Sequence, residues 1–274
     1  MTLVLLAAGL GSRFGGPKQL EPVGPNGETF LHLNAADAAA AGFTHVVAVT
    51  RHELESRVRE EFLASLPGGV TGEVAIQPTP GGKPGGTAEA LAVGLAATEG
   101  IAAMANADDA YGPEAFRDLA NLIARTPQAD GWALPYRCDL TLSDEGGVSR
   151  ALCQLDADLL ANIVELAGVM RDEDGVIRGR DQGGQVYTLT DDAPVSMNLF
   201  AFRSSIRSQL ARFLDEHLLL RTDAEAVLPD FLGQAVREGQ LEIRVATTAS
   251  PWIGMTFRED LPRVRAALRA RFIS

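Results

Sequence analysis

The chain has 274 residues, 46% of them apolar and 22% charged, which is enough material for one large α/β domain or two small ones. A formal net charge of −12 leaves no basic stripe to neutralise a phosphate backbone, and so argues against a nucleic-acid partner. No apolar run reaches the roughly 18 residues a membrane helix needs. The apolar start, residues 1–10, carries no basic leader region, so a cytoplasmic protein without a membrane segment is expected.

The first half alternates strand-like and helix-like segments. Thr2 to Ala8 is short, almost wholly apolar and ends in glycine, the pattern of a strand buried on both faces. A helix over Thr29 to Ala41 follows, then a strand at Thr44 to Thr50 and a charged amphipathic helix from His52 to Leu66. Glu73 to Gln77 reads as a strand, Thr87 to Ala97 as a helix, Ile101 to Asn106 as a strand, and Pro113 to Arg125 as a helix with proline in its first turn. This alternation predicts βαβ units and a Rossmann-like, mostly parallel sheet with helices on both faces.

After residue 127 the pattern changes. Short strands at Val148 to Leu155, Ala161 to Glu165, Val176 to Ile177, Val186 to Leu189 and Val195 to Phe202 are separated by polar turns. They predict a smaller, partly antiparallel layer. Two helices, Ser204 to Leu218 and Asp223 to Glu238, a strand at Leu241 to Ala246 and a helix from Asp260 complete the chain. No linker or repeat interrupts it, so residues 1–274 are expected to form one domain. Its two sub-regions are about 1–127 and about 128–274.

Cys138 and Cys153 lie in apolar segments without metal-ligand spacing and are expected to be buried thiols. Of 24 basic residues only Lys18 and Lys83 are lysines, and both stand in Gly/Pro-rich loops. A compact ammonium acts on phosphate as a point charge, which a guanidinium fork does not replace. His32, His45, His52 and His217 lie on helices or beside a strand and read as structural.

In an open parallel sheet, ligands bind beyond the carboxyl ends of the strands. There the loop from Gly9 to Gly27 offers backbone N–H groups together with Arg13 and Lys18. A dinucleotide fingerprint is excluded, because Phe14 takes the third glycine position and the second strand ends Val49-Thr50-Arg51 without an acid. A G-x-x-x-x-G-K-[ST] loop is excluded too, since Pro84 follows Lys83.

Leu6-Ala7-Ala8-Gly9-Leu10-Gly11-Ser12-Arg13-Phe14, followed by Pro17-Lys18, resembles the signature of the sugar-1-phosphate nucleotidyltransferases, a superfamily that includes glucose-1-phosphate thymidylyltransferases. The resemblance continues in Gln77 with Gly85-Gly86-Thr87-Ala88, in Asn106-Ala107-Asp108, in Ile163-Val164-Glu165 and in Val195-Ser196-Met197-Asn198. It implies transfer of a nucleoside monophosphate from an NTP to a sugar 1-phosphate with release of pyrophosphate. Lys18 and Arg13 would be catalytic, and Asp108 would hold Mg²⁺. Ala7, Ala8, Gly9, Gly11, Gln77, Gly86 and Thr87 would bind the nucleotide, with Thr87 also suited to cap its helix. Gly147, Glu165 and Asn198 would bind the sugar phosphate, and Asp109 would support its neighbour rather than ligate. A second metal-binding aspartate is expected in a late W-x-D-like stretch, but this chain reads Trp252-Ile253-Gly254, which leaves Asp108 alone or brings in another acid such as Asp260. The glycine loop is shared with cytidylyltransferases acting on polyol and other non-sugar phosphates, and a nucleotide-binding homologue without turnover is the third reading. The sequence names neither base nor sugar and leaves the oligomeric state open, a homo-oligomer included.

Overall fold

A computed structural model describes residues 1–12, 14–143, 145–219 and 225–273. Strand β1 (Thr2–Leu6) lies between β2 (His45–Thr50) and β4 (Ile101–Asn106), and β3 (Thr71–Ile76) extends this parallel half beyond β2. Along β1, Leu3 and Leu5 enter one core cluster while Val4 enters the other. The period of two in a strand, applied to an all-apolar run, buries both faces. Helices α1 (Phe30–Ala40) and α4 (Pro113–Arg125) cover the first face, α3 (Thr87–Ala96) the second.

The expected helix over residues 52–66 is not uniform. A single α turn, α2 (Glu55–Arg57), sits between a 3₁₀ turn and a wider π turn at Val58–Phe62. Leu54, Val58 and Phe62 are the buried residues, spaced four apart. A spacing above 3.6 drifts off the core in a regular α-helix, and the wider turn holds the stripe in line.

The strands β5 (Asp109–Ala110), β6 (Gly131–Ala133) and β7 (Tyr136–Arg137) are too short to show a pattern in the sequence and were not foreseen there. Next come β8 (Val148–Asp156), the long β9 (Leu159–Arg171), β10 (Ile177–Arg180), β11 (Val186–Leu189), β12 (Pro194–Ser196) and β13 (Phe200–Arg203). The expected single strand from Val195 to Phe202 is broken in two. Asn198 has φ of 63°, a left-handed conformation that asparagine tolerates better than most residues. The antiparallel strands continue the parallel sheet, in the order β3-β2-β1-β4-β13 followed by β6, β14 (Ile243–Val245), β9, β8, β12 and β7. A separate two-stranded pair joins β5 to β15 (Ile253–Gly254), with Asp109 opposite Gly254.

Helices α5 (Arg207–Leu219) and α6 (Leu228–Arg237) join the second face, and α7 (Leu261–Ile273) ends the chain. Expected from Asp223, α6 begins only at Leu228, because Ala226 spends its main chain elsewhere: its N–H donates to Gly85 O and its carbonyl accepts from Ala88. Residues 223 and 224 lie outside the described residues. Cys138 and Cys153 are buried free thiols, with burial pushing them up to about 11 and about 12. Among the described residues no helix is long and apolar enough to cross a membrane.

Candidate active site

The loop after β1 is built around one glycine carbonyl. Gly11 O accepts N–H bonds from Phe14, Gly15 and Gly16, and Gly11 has φ of +62°. A Cβ there would lie 2.0 Å from Gly16 O, so the turn admits glycine alone. Two side chains tether the loop. Buried Gln19 donates to Ala7 O at 2.7 Å, and Arg51, at the end of β2, donates to Gly9 O at 2.7 Å and Ala8 O at 3.1 Å. Arg13 lies outside the described residues.

Lys18 ties three segments together. Its Nζ is 2.6 Å from Asp108 Oδ2, just past β4, and donates to Met255 O at 2.8 Å in the late segment. Both side chains of the ion pair are partly exposed, 20% for Lys18 and 27% for Asp108. Asp109 is buried, and desolvation together with the Asp108 charge raises its carboxyl above the ordinary range. Its Oδ2 accepts from Asn106 Nδ2 at 2.9 Å, and Asn106 Oδ1 accepts from Asn198 Nδ2 at 3.2 Å. The left-handed turn at Asn198 thus points its amide at the end of β4. Tyr111 closes this network by donating to Met197 O at 2.6 Å.

On one side of Asp108 a cavity of about 260 Å³ is lined by Leu6, Ala8, Gly9, Gln77, Pro84, Gly86 and Thr87, among others. Gln77 donates through Nε2 to Gly86 O and Glu89 Oε2, which occupies both amide hydrogens and leaves its carbonyl oxygen to accept. The cap of α3 is Gly86, not Thr87, which is the first helical residue. Thr87 Oγ1 accepts from Leu228 N–H at 2.8 Å instead. Gly86 has φ of +109°, and a Cβ there would meet Ala226 O at 2.4 Å. Exposed Lys83 stands immediately before Pro84 at the rim.

On the other side lies a cavity of about 370 Å³, whose walls include Gly11, Lys18, Arg150, Glu165, Ser196 and Trp252. The two cavities share Gly9, Asn106, Asp108 and Asn198. Of the residues singled out in the sequence, Ala7 is buried in the core and Gly147 packs against Gly168, and neither lines either of these two cavities. None of the four histidines lines these two cavities; His32, for one, bonds Thr29 and Ser65.

Glu165 is pushed up to about 7, first by desolvation and then by Asp230. A raised folded-state pKa means that the folded protein binds the proton more tightly than the unfolded chain. The Glu165 contribution to stability therefore falls as pH rises from about 4.5 towards about 7. Glu165→Gln is expected to unfold at the same temperature as the parent at pH 4 and at a higher one at pH 8. Equal unfolding temperatures at both pH values would contradict this.

The chain also resembles known proteins. The model of the MobA-like NTP transferase domain matches residues 3–225, well over half of the chain. The chain belongs to that family. It is a nucleotidyltransferase. Among solved structures it is similar to a putative glucose-1-phosphate thymidylyltransferase from Bacillus anthracis, in complex with a sucrose, at 14% identity. That match has a TM-score of 0.69 and covers 98% of this chain and 96% of the other. The inositol-1-phosphate CTP transferase from T. maritima is similar at 15% identity, with a TM-score of 0.67 and coverage of 98% and 96%. At such identities these likenesses establish the fold. Among curated proteins none matches the sequence at a significant level.

In this nucleotidyltransferase several site residues carried no signal in the sequence. Arg51 was notable there only for not being an acid, and Gln19 and Arg150 were not marked at all; Gln19 tethers the loop through Ala7 O, and Arg150 takes its place beside the distant Trp252 ring. Asp260 does not reach the site. Its Oδ2 accepts from Thr256 N–H and Phe257 N–H, both at 2.8 Å, and so caps the start of the last helical segment. Among the described residues no group of three or more His, Cys, Asp or Glu could hold a metal. Nor is Gly254 simply a lost acid, because a Cβ there would lie 2.1 Å from the Trp252 ring and 2.8 Å from Asp109 Oδ1. Gly254→Asp is therefore expected to destabilise the fold by about 1–3 kcal/mol, as overpacking does, and to lower activity. Denaturant unfolding checks the first and steady-state turnover the second; a gain in activity would contradict the steric reading.

Proposed function

We propose that this nucleotidyltransferase transfers a nucleoside monophosphate from an NTP to a sugar 1-phosphate, releasing pyrophosphate. The observation that carries the reading is the pair of cavities that meet at Gly9, Asn106, Asp108 and Asn198, with the Lys18–Asp108 pair at the junction. Such an arrangement suits two substrates that react across one shared wall. The nucleotide would occupy the side of Gln77, Gly86 and Thr87, and the acceptor the side of Glu165 and Asn198.

Phosphoryl chemistry of this kind needs positioning and charge neutralisation more than a nucleophilic side chain. The acceptor phosphate oxygen attacks the α-phosphorus while pyrophosphate leaves in line. Lys18 neutralises charge on the α-phosphate and on the incoming phosphate, and Arg13 holds the leaving phosphates. The carboxylate of Asp108 is a hard oxygen donor on the cavity wall, which suits Mg²⁺, an ion commonly held by one or two carboxylates plus substrate phosphates. When bound, Mg²⁺ would add positive charge against the reacting phosphates. The Lys18–Asp108 contact holds the two charges in place until substrate phosphate competes for the lysine.

The experiment is a pyrophosphate-release assay across ATP, CTP, GTP, UTP and dTTP, with Mg²⁺ and a panel of sugar 1-phosphates plus inositol 1-phosphate. Release is expected only when both a nucleotide and a sugar 1-phosphate are present. Activity with CTP and inositol 1-phosphate alone would favour a polyol-phosphate cytidylyltransferase, in keeping with one of the two similar structures. Nucleotide binding without turnover on any acceptor would overturn the enzymatic assignment of substrates.

A further inference from the structure

We propose that Arg150 is the anion-recognising residue of the larger cavity and that the group it takes is the phosphate of the acceptor. The inference rests on reading that cavity as the acceptor site. Arg150 lies on β8, opposite Leu166 of β9, and is only 9% exposed, yet its side chain forms part of the cavity wall. All its hydrogen-bond partners are neutral. Nε donates to Thr141 O and Oγ1 at 3.1 Å, Nη2 donates to Thr141 O, and Nη1 donates to Ser149 O at 2.7 Å.

A guanidinium carries five N–H donors, so these bonds leave one on each Nη. Among the described residues no carboxylate reaches Arg150 at ion-pair distance. Asp109 and Glu165 share the cavity wall and act on Arg150 only through their fields, and burial drives the Glu165 carboxyl towards its neutral form. The Trp252 ring, 5.1 Å from the guanidinium carbon, fixes the plane of the fork. Desolvation disfavours the charge of Arg150, but arginine does not give up its proton in proteins. A buried, oriented cation with two unused donors and no contact counter-ion suits a phosphate, whose oxygens match the fork in pairs.

The chain has two tryptophans, Trp132 and Trp252, so Trp132→Phe leaves the one beside Arg150 as the only fluorescent tryptophan. In that background, inorganic phosphate added to the nucleotide-free protein is expected to change Trp252 emission saturably. Arg150→Met, which keeps an apolar stem of similar length, should weaken the phosphate Kd by about tenfold or more, as loss of a charge-assisted bond implies. Nucleotide affinity by calorimetry should stay within about twofold, the scatter of a residue that does not touch the ligand. In the pyrophosphate assay the KM for the acceptor should rise while the KM for nucleotide stays the same. Arg150→Lys should fall between, since an ammonium cannot span Thr141 and Ser149 while still presenting two donors. An unchanged phosphate Kd in Arg150→Met, or no saturation in the parent, overturns the proposal. So does unfolding of both variants, which would make Arg150 a structural strut. Turnover on sugar 1-phosphates with a phosphate response indifferent to Arg150 would sink this inference alone. Phosphate binding through Arg150 with no turnover on any acceptor would sink the substrate assignment instead.

Discussion

Lys18→Ala is expected to cut turnover by roughly 10²–10³, about 2.7–4 kcal/mol of lost transition-state stabilisation, as removal of one electrostatic stabiliser typically does. In the structure the ammonium lines the 370 Å³ cavity, 2.6 Å from Asp108 on the wall common to both cavities, and is held from the other side by Met255 O. The ion pair is partly exposed, so its loss should cost little stability. The damage should appear in kcat and leave the unfolding temperature nearly unchanged. Lys18→Arg should rescue poorly, because a planar fork cannot place its charge at the ammonium position beside Asp108 and Met255. The check is steady-state kinetics of both variants alongside thermal unfolding. Near-normal turnover by a folded Lys18→Ala protein would remove the central element of the mechanism.

Asp108→Asn is expected to abolish Mg²⁺-dependent turnover while nucleotide binding without metal stays measurable. The groups on the proposed nucleotide side, the Gln77 carbonyl, Thr87 and the glycine loop, are held by protein contacts that do not pass through Asp108. In the metal-free protein Lys18 already compensates Asp108, so Mg²⁺ alone has to displace an ion pair to bind. Metal binding should accordingly be weak without nucleotide and tight with it, since the substrate phosphates supply the remaining ligands. Calorimetry with Mg²⁺ alone and then with nucleotide, on parent and variant, measures both points. Tight Mg²⁺ binding by the nucleotide-free protein that survives Asp108→Asn would place the ion at another cluster.

The parallel half was legible in the sequence because its information is local. A short, almost wholly apolar run that ends in glycine reads as a strand buried on both faces, and Gly11 with its carbonyl shared by three N–H groups is a short-range motif. The placement of Lys18 near Asp108 followed from topology. The β1 loop and the end of β4 lie at one edge because β1 and β4 are neighbours in parallel register, Leu6 opposite Asn106. The antiparallel half was legible only in part. Glu165 and Asn198 lie on the cavity, but the turn that aims Asn198 interrupts what reads as one strand.

What only the tertiary structure decided are the contacts between residues far apart in the chain. Arg150 becomes a site residue because Thr141, Ser149 and Trp252 surround it, and nothing in its neighbours along the chain marks it among 22 arginines. Gly254 reads as a missing acid, yet its position opposite Asp109 and under the Trp252 ring leaves no room for any side chain. Asp260 reads as a spare ligand, yet its carboxylate is taken by two backbone N–H groups. The Asp260 cap is itself local, to Thr256 and Phe257, whereas Arg150 and Gly254 share another reason, since Trp252 and Asp109 respectively reach them from elsewhere in the chain. Periodicity and turn chemistry are set by neighbours a few residues away and survive in the sequence, whereas burial of a charge and the room for a Cβ depend on which distant segments pack together.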